Sequence, residues 1–162
     1  MKRLLIISCC AALISIGIAV AKSMSSASGS PESAMMQQDA GEKATFAGGC
    51  FWCMEKPFEQ LDGVVSVISG YSGGTTTNPT YKTYMSGGHV EVVEITFNPD
   101  KISYQELLDV YWKQVDPTDP GGQFVDRGHA YSTAIFYHDE EQRVQAEASK
   151  AALEKNNIFT NV

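Results

Sequence analysis

The chain predicts an α+β domain of two layers, and three observations carry that expectation. Its 162 residues, 43% hydrophobic and 10% aromatic, allow one packed core. Apolar residues recur with period two in some stretches and with helical spacing in others. The two patterns are mixed along the chain with few clean strand–helix–strand repeats, which argues against a parallel α/β sheet.

The elements follow in order. Residues 44–46, Ala-Thr-Phe, read as a strand before the Gly48-Gly49 pair, and CFWCMEKPFEQL as a helix whose first turn contains both cysteines. Pro57 removes a backbone donor there and predicts a break or kink near Lys56. VVSVISGY is rich in β-branched residues, NPTYKTYM reads as a short helix or turn, and HVEVVEITF alternates as a strand does. Ser103 and Glu106 form a capping box for a helix that carries Leu107, Leu108, Tyr111, Trp112 and Val115 on one face. DPTDPGGQFVDRGHA is a long loop of turn residues, and loops of that length inside a compact domain are usually functional. The strand YSTAIFYH and a charged helix from about Asp139 to Lys155 complete the pattern.

The N-terminus has a different character. Lys2 and Arg3 precede the apolar run LLIISCCAALISIGIAVA, in which Ala19 and Ala21 bracket Val20, as in a secretory signal cleaved before Lys22. If retained, the same run approaches the length of a membrane anchor. Residues 22–42 are rich in Ser, Ala, Gly and Gln and predict a flexible linker, leaving residues 43–162 as the folded domain. The expected location is therefore outside the cytoplasm, in the periplasm. Loss of residues 1–21 removes two cations and no anion, so the formal charge goes from −7 to −9. So acidic a chain disfavours nucleic acid and anionic lipid as partners.

Cleavage would also remove Cys9 and Cys10, leaving Cys50 and Cys53 as the whole thiol content. A bridge across so short a loop contributes little stability, so the pair reads as redox-active. A thiol in the first turn of a helix faces unpaired N–H groups and the positive end of the helix dipole, which favour thiolate. Cys50 is the natural nucleophile, and Cys53 is near enough to close a disulfide on an oxidised Cys50. Zinc needs further ligands, and His89, His129 and His138 are single histidines without paired spacing, so no metal is expected. Each histidine alone reads as a hydrogen-bonded structural residue.

Two further features narrow the chemistry. Phe51 and Trp52 between the thiols would wall the nucleophile with aromatic rings, a surface suited to a small apolar group such as a methyl on sulfur; equally, the rings anchor the helix in the core. In HVEVVEITF, His89, Glu91, Val93, Ile95 and Phe97 share one face. If that face is buried, desolvation favours the protonated carboxyl a general acid requires; if Glu91 lies at a frayed strand end, it is a solvated carboxylate. Spacing alone leaves both open.

The motifs FAGGCFWCME, GVVSVISGYSGG, NPTYKTYMSGGHVEVVEITFNP, ISYQELLDVYWKQVDPTDPGGQ and DRGHAYSTAIFY together resemble the A-type peptide methionine sulfoxide reductases, from about residue 44 to the C-terminus. The resemblance implies an α+β sandwich with a mixed β-sheet and a ferredoxin-like core, acting on the S epimer of methionine sulfoxide in proteins or free form without metal or organic cofactor. It implies Cys50 as the nucleophile, Phe51 and Trp52 as the walls of the methyl pocket, and Glu91 as the acid that protonates the departing oxygen. Tyr81, Asp126 and Tyr131 are implied to orient that oxygen. On the residues alone, the tyrosines are equally boundary residues, and Asp126 a surface ion pair with Arg127. Many members have Gly at the position of Cys53 and keep recycling cysteines in a tail; here the resolving role falls to Cys53, or else Cys53 is a small buried hydrophobe and an external thiol reduces the Cys50 sulfenic acid directly. Members usually continue beyond the position of Val162, so the domain reads as short at its C-terminus. The expected partners are oxidised proteins and a thioredoxin-like dithiol. A general thiol–disulfide oxidoreductase and a non-catalytic binder of oxidised methionine are the alternatives.

Overall fold

A computed structural model describes residues 41–156. The expected signal segment and most of the expected linker lie outside the described residues. Among the described residues no helix is long and apolar enough to cross a membrane.

A four-stranded sheet forms the frame. Its strands are β1 (Glu42–Gly48), β2 (Val64–Ser72), β3 (Val90–Phe97) and β6 (Thr133–Phe136), in the order β2-β3-β1-β6. Every neighbouring pair is antiparallel, with Phe46 opposite Val93, Phe46 opposite Ile135, and Tyr71 opposite Glu91. The sheet expected to be mixed is thus antiparallel among the described residues. The reason is topological: β1 and β2 run the same way, but β3 sits between them, so no parallel neighbours arise.

Two helices cover one face. Helix α1 spans Phe51–Glu59 and α2 spans Tyr104–Gln114, and both pack on Ala44, Phe46, Val93, Ile95 and Phe97. Pro57 does not break α1, because Phe58 just beyond it is fully buried against Phe46 and holds the last turn in place. The capping box forms as expected, with the Ser103 hydroxyl accepting from the Glu106 amide and the Glu106 carboxylate accepting from the Ser103 amide. The long loop builds a two-stranded ribbon, β4 (Gly122–Gln123) with β5 (Asp126–Arg127), and a 3-10 turn at His129–Tyr131. Helix α3 (Glu140–Lys155) is capped by Asp139, and the Trp112 indole N–H ties α2 to it through Ser149 Oγ.

Phe46 is the centre of this packing. It is fully buried, with ring centroids 5.0 Å from Tyr111, 5.6 Å from Phe58 and 6.0 Å from Tyr104, so β1, α1 and α2 all meet on it. Phe46→Ala is expected to cost about 3–5 kcal/mol, because these rings leave a cavity they cannot close. Urea unfolding checks this, as a lowered midpoint with an unchanged slope.

Candidate active site

The Gly48-Gly49 pair delivers the chain from β1 into α1. A Cβ on Gly48 would stand 2.6 Å from Met54 Sδ, and Gly49 has φ +91°, a left-handed turn that suits glycine. Cys50 therefore becomes the N-cap of α1, in extended backbone, with its carbonyl accepting from the Cys53 amide at 3.0 Å. Cys53 lies one turn on, and both thiols are free.

Glu91 occupies the buried face of β3, settling the choice that its spacing left open. It is 3% exposed and lies two residues beyond the Val93 that pairs with Phe46. Glu91 Oε2 accepts from the Phe51 amide at 3.0 Å, and Oε1 accepts from the Tyr84 hydroxyl at 2.7 Å. The carboxyl is thus bolted to the residue that follows the nucleophile.

Aromatic rings surround this carboxyl. Phe51 is buried and packs on Tyr71, whereas Trp52 is 64% exposed and stacks on Tyr81 with centroids 6.3 Å apart. Of the two rings between the cysteines, Phe51 is buried and anchors α1, and Trp52 faces outward. Tyr84 stacks on Tyr71 at 4.5 Å. Burial first, then the bond to Glu91 and the nearby Tyr131 hydroxyl, hold the Tyr84 proton far above the ordinary phenol range.

On the other side of the thiols a cleft of about 300 Å³ is lined by Cys50, Cys53, Met54, Gln123, Phe124 and Asp126, among others. Asp126 does not pair with Arg127, whose guanidinium forms a two-pronged bridge to Asp119 instead. That bridge and the buried Gln123, which binds the Asp116 amide and carbonyl, fix the ribbon that carries Asp126. The histidines are structural. His89 holds the 73–76 turn through the Gly74 amide and Thr76, and His138 meets Thr45. Among the described residues no group of three or more His, Cys, Asp or Glu is placed to hold a metal ion.

The sequence matches known proteins. Residues 42–162 match the profile of the family described as peptide methionine sulfoxide reductase. The peptide methionine sulfoxide reductase MsrA of Listeria innocua is 60% identical over 126 residues, which cover 76% of this chain and 71% of the relative. The chain belongs to the peptide methionine sulfoxide reductase family.

Solved structures share the fold. Methionine sulfoxide reductase A of Corynebacterium diphtheriae superposes with a TM-score of 0.66 at 28% identity, covering 76% of this chain and 63% of that one. Mxr1 of Saccharomyces cerevisiae in reduced form gives 0.66 at 26% identity, covering 71% and 69%. Membership makes this chain an oxidoreductase, and the residues that the resemblance implied converge on the N-terminus of α1.

One residue of this reductase site went unread in the sequence. Tyr84, not Tyr81 or Tyr131, donates directly to Glu91, while Tyr81 contributes its ring beside Trp52 and Tyr131 lies near the Tyr84 hydroxyl. The available signal was the spacing Tyr81-x-x-Tyr84, which one turn of chain brings to the same side.

Cys53 carries a testable electrostatic property. Partial desolvation of its sulfur by the surrounding protein pushes the thiol up from its ordinary range, and Cys50, Asp126 and Glu91 push the same way. Near neutrality Cys53 is therefore a thiol, and its attack on an oxidised Cys50 needs the thiolate. Disulfide closure is expected to accelerate about tenfold per pH unit from about pH 7 to about pH 8.5. Rapid-quench trapping of the Cys50 sulfenic acid measures this; a lifetime independent of pH would show that Cys53 is not the attacking group.

Proposed function

We propose that this chain reduces methionine-S-sulfoxide, in proteins or free, to methionine through a Cys50 sulfenic acid and a Cys50–Cys53 disulfide. The observation that carries the reading is the bond from the Phe51 amide to Glu91 Oε2, which puts a buried acid one residue from the nucleophile. Trp52 and Tyr81 offer the sulfur-bound methyl an apolar surface at the rim of the same turn.

The steps balance. Cys50 thiolate attacks the sulfoxide sulfur while Glu91 gives its proton to the oxygen, and collapse releases methionine, leaving Cys50 as sulfenic acid and Glu91 as carboxylate. Cys53 then attacks the Cys50 sulfur, its proton leaves with the hydroxyl as water, and the disulfide closes. A dithiol protein of thioredoxin type reopens it, taking the disulfide onto itself and returning two thiols, one of which supplies the proton that reloads Glu91. Exposure of Cys53 suits such a donor, which must reach one sulfur directly. No metal or organic cofactor enters these steps.

The strand order β2-β3-β1-β6, with α1 and α2 on one face, supports a two-layer, ferredoxin-like core. The apolar N-terminal run ending in Ala19-Val20-Ala21 supports export to the periplasm.

The test is epimer-resolved turnover with a chemical dithiol. Methionine formed from the S-sulfoxide peptide alone is the expected result. Efficient reduction of unrelated disulfides without sulfoxide turnover would select a thiol–disulfide oxidoreductase, and saturable peptide binding without product a binding module.

A further inference from the structure

The Glu91 carboxyl makes two hydrogen bonds of different kinds. The Phe51 amide at Oε2 can only donate, at 3.0 Å. The Tyr84 hydroxyl at Oε1, 2.7 Å away, can donate to a carboxylate or turn to accept from a carboxylic acid. With the proton on Oε1 the first contact persists unchanged, and only the second can reverse direction as Glu91 changes protonation.

Tyr84 is built to stay there. Its side chain is 1% exposed, with the ring stacked on Tyr71 and tilted against Tyr81, and the backbone around it is tied by the Tyr84 amide to Thr80 O and by the His89 amide to Tyr84 O. The hydroxyl lies between the Glu91 carboxyl and the Tyr131 hydroxyl, and Tyr131 is only half-buried. A line of polar groups thus runs from the buried acid through one buried hydroxyl toward the surface.

We propose that Tyr84 is the positioning residue for Glu91: its hydroxyl holds Oε1 in both protonation states and, by donating to the carboxylate, sets the pH at which the acid loses its proton. This rests on the reductase reading, in which Glu91 gives up one proton per turnover and regains it. Other titratable groups face the same carboxyl or its bonding partners: Cys50 and Cys53 on α1, Tyr71 on β2, Asp126 on β5 and Tyr131 after it. Tyr84 differs from these in its direct bond to Oε1.

Tyr84→Phe tests the assignment, since it keeps the ring and its stacking while deleting the hydroxyl. Methionine formation in a single turnover is expected to fall about 10- to 100-fold, with half-saturation by the peptide changed less than about twofold. Its alkaline limb is expected to move to higher pH, because the charged acid has lost a donor. In a Glu91→Gln background the same substitution should slow the reaction less than about twofold, since there is no acid left to position. An equal fall in both backgrounds, or an alkaline limb that stays in place, overturns the proposal. Infrared titration of the Glu91 carboxyl in the Tyr84→Phe protein gives a readout without turnover, expected to shift to higher pH. If the unsubstituted chain makes no methionine, the reductase reading fails while this titration still decides whether Tyr84 governs the carboxyl.

Discussion

Cys50→Ser is expected to lower methionine formation by about ten-thousandfold or more, to the level of the uncatalysed reaction. The substitution changes one atom at the N-cap of α1 and leaves the cap position, the Gly48-Gly49 turn and the Phe51–Glu91 bond intact. What it removes is the sulfur that attacks the sulfoxide. A serine hydroxyl stays protonated near neutral pH and forms no sulfenic acid, so the helix N-terminus has no anion to stabilise. The thiol count adds a second readout, because Cys53 alone cannot form the intramolecular disulfide. The variant should unfold at nearly the same denaturant concentration as the parent, which separates lost chemistry from lost structure.

Glu91→Gln should slow the same step by about 100- to 1,000-fold while peptide binding changes little. Glutamine is nearly isosteric, and its carbonyl can accept from the Phe51 amide as Glu91 Oε2 does. Its amide group would then face the Tyr84 hydroxyl, which turns to accept. The geometry survives, and the proton for the departing oxygen does not. A rapid-quench measurement of the first methionine formed isolates this step from recycling; an unchanged rate would remove Glu91 from the role of acid.

How far the site could be read in the sequence differs from residue to residue. The period-two pattern of HVEVVEITF put Glu91 on the side of Val93 and Ile95, and the unbroken pairing with β2 from Val93 to Glu91, with the bond to the Phe51 amide, bears this out. Alternation could not say whether that end of β3 was covered. Coverage comes from Phe51 and Tyr84, which reach it from other segments. Cys50 was legible because a glycine pair followed by helical spacing marks a helix start. Tyr84 was not, because its one signal, the spacing from Tyr81, lies in the successive turns of residues 81–88, and turns carry no periodicity that says which side faces the site. Asp126 beside Arg127 suggested a pair, but neighbours along a strand point to opposite sides, and Arg127 bridges back across the loop to Asp119. The antiparallel sheet was hidden for a related reason: local patterns locate strands, whereas insertion of β3 between β1 and β2 depends on long-range pairing.

The central claim is that Cys50 takes the sulfoxide oxygen and Cys53 resolves the product. Its most direct test mixes the fully reduced chain with a methionine-S-sulfoxide peptide in the absence of reductant, counting methionine formed and thiols remaining. The account predicts one methionine per chain with the Cys50 and Cys53 thiols both consumed and joined in a disulfide. No methionine from a folded chain, or methionine with the Cys53 thiol still free, would contradict it.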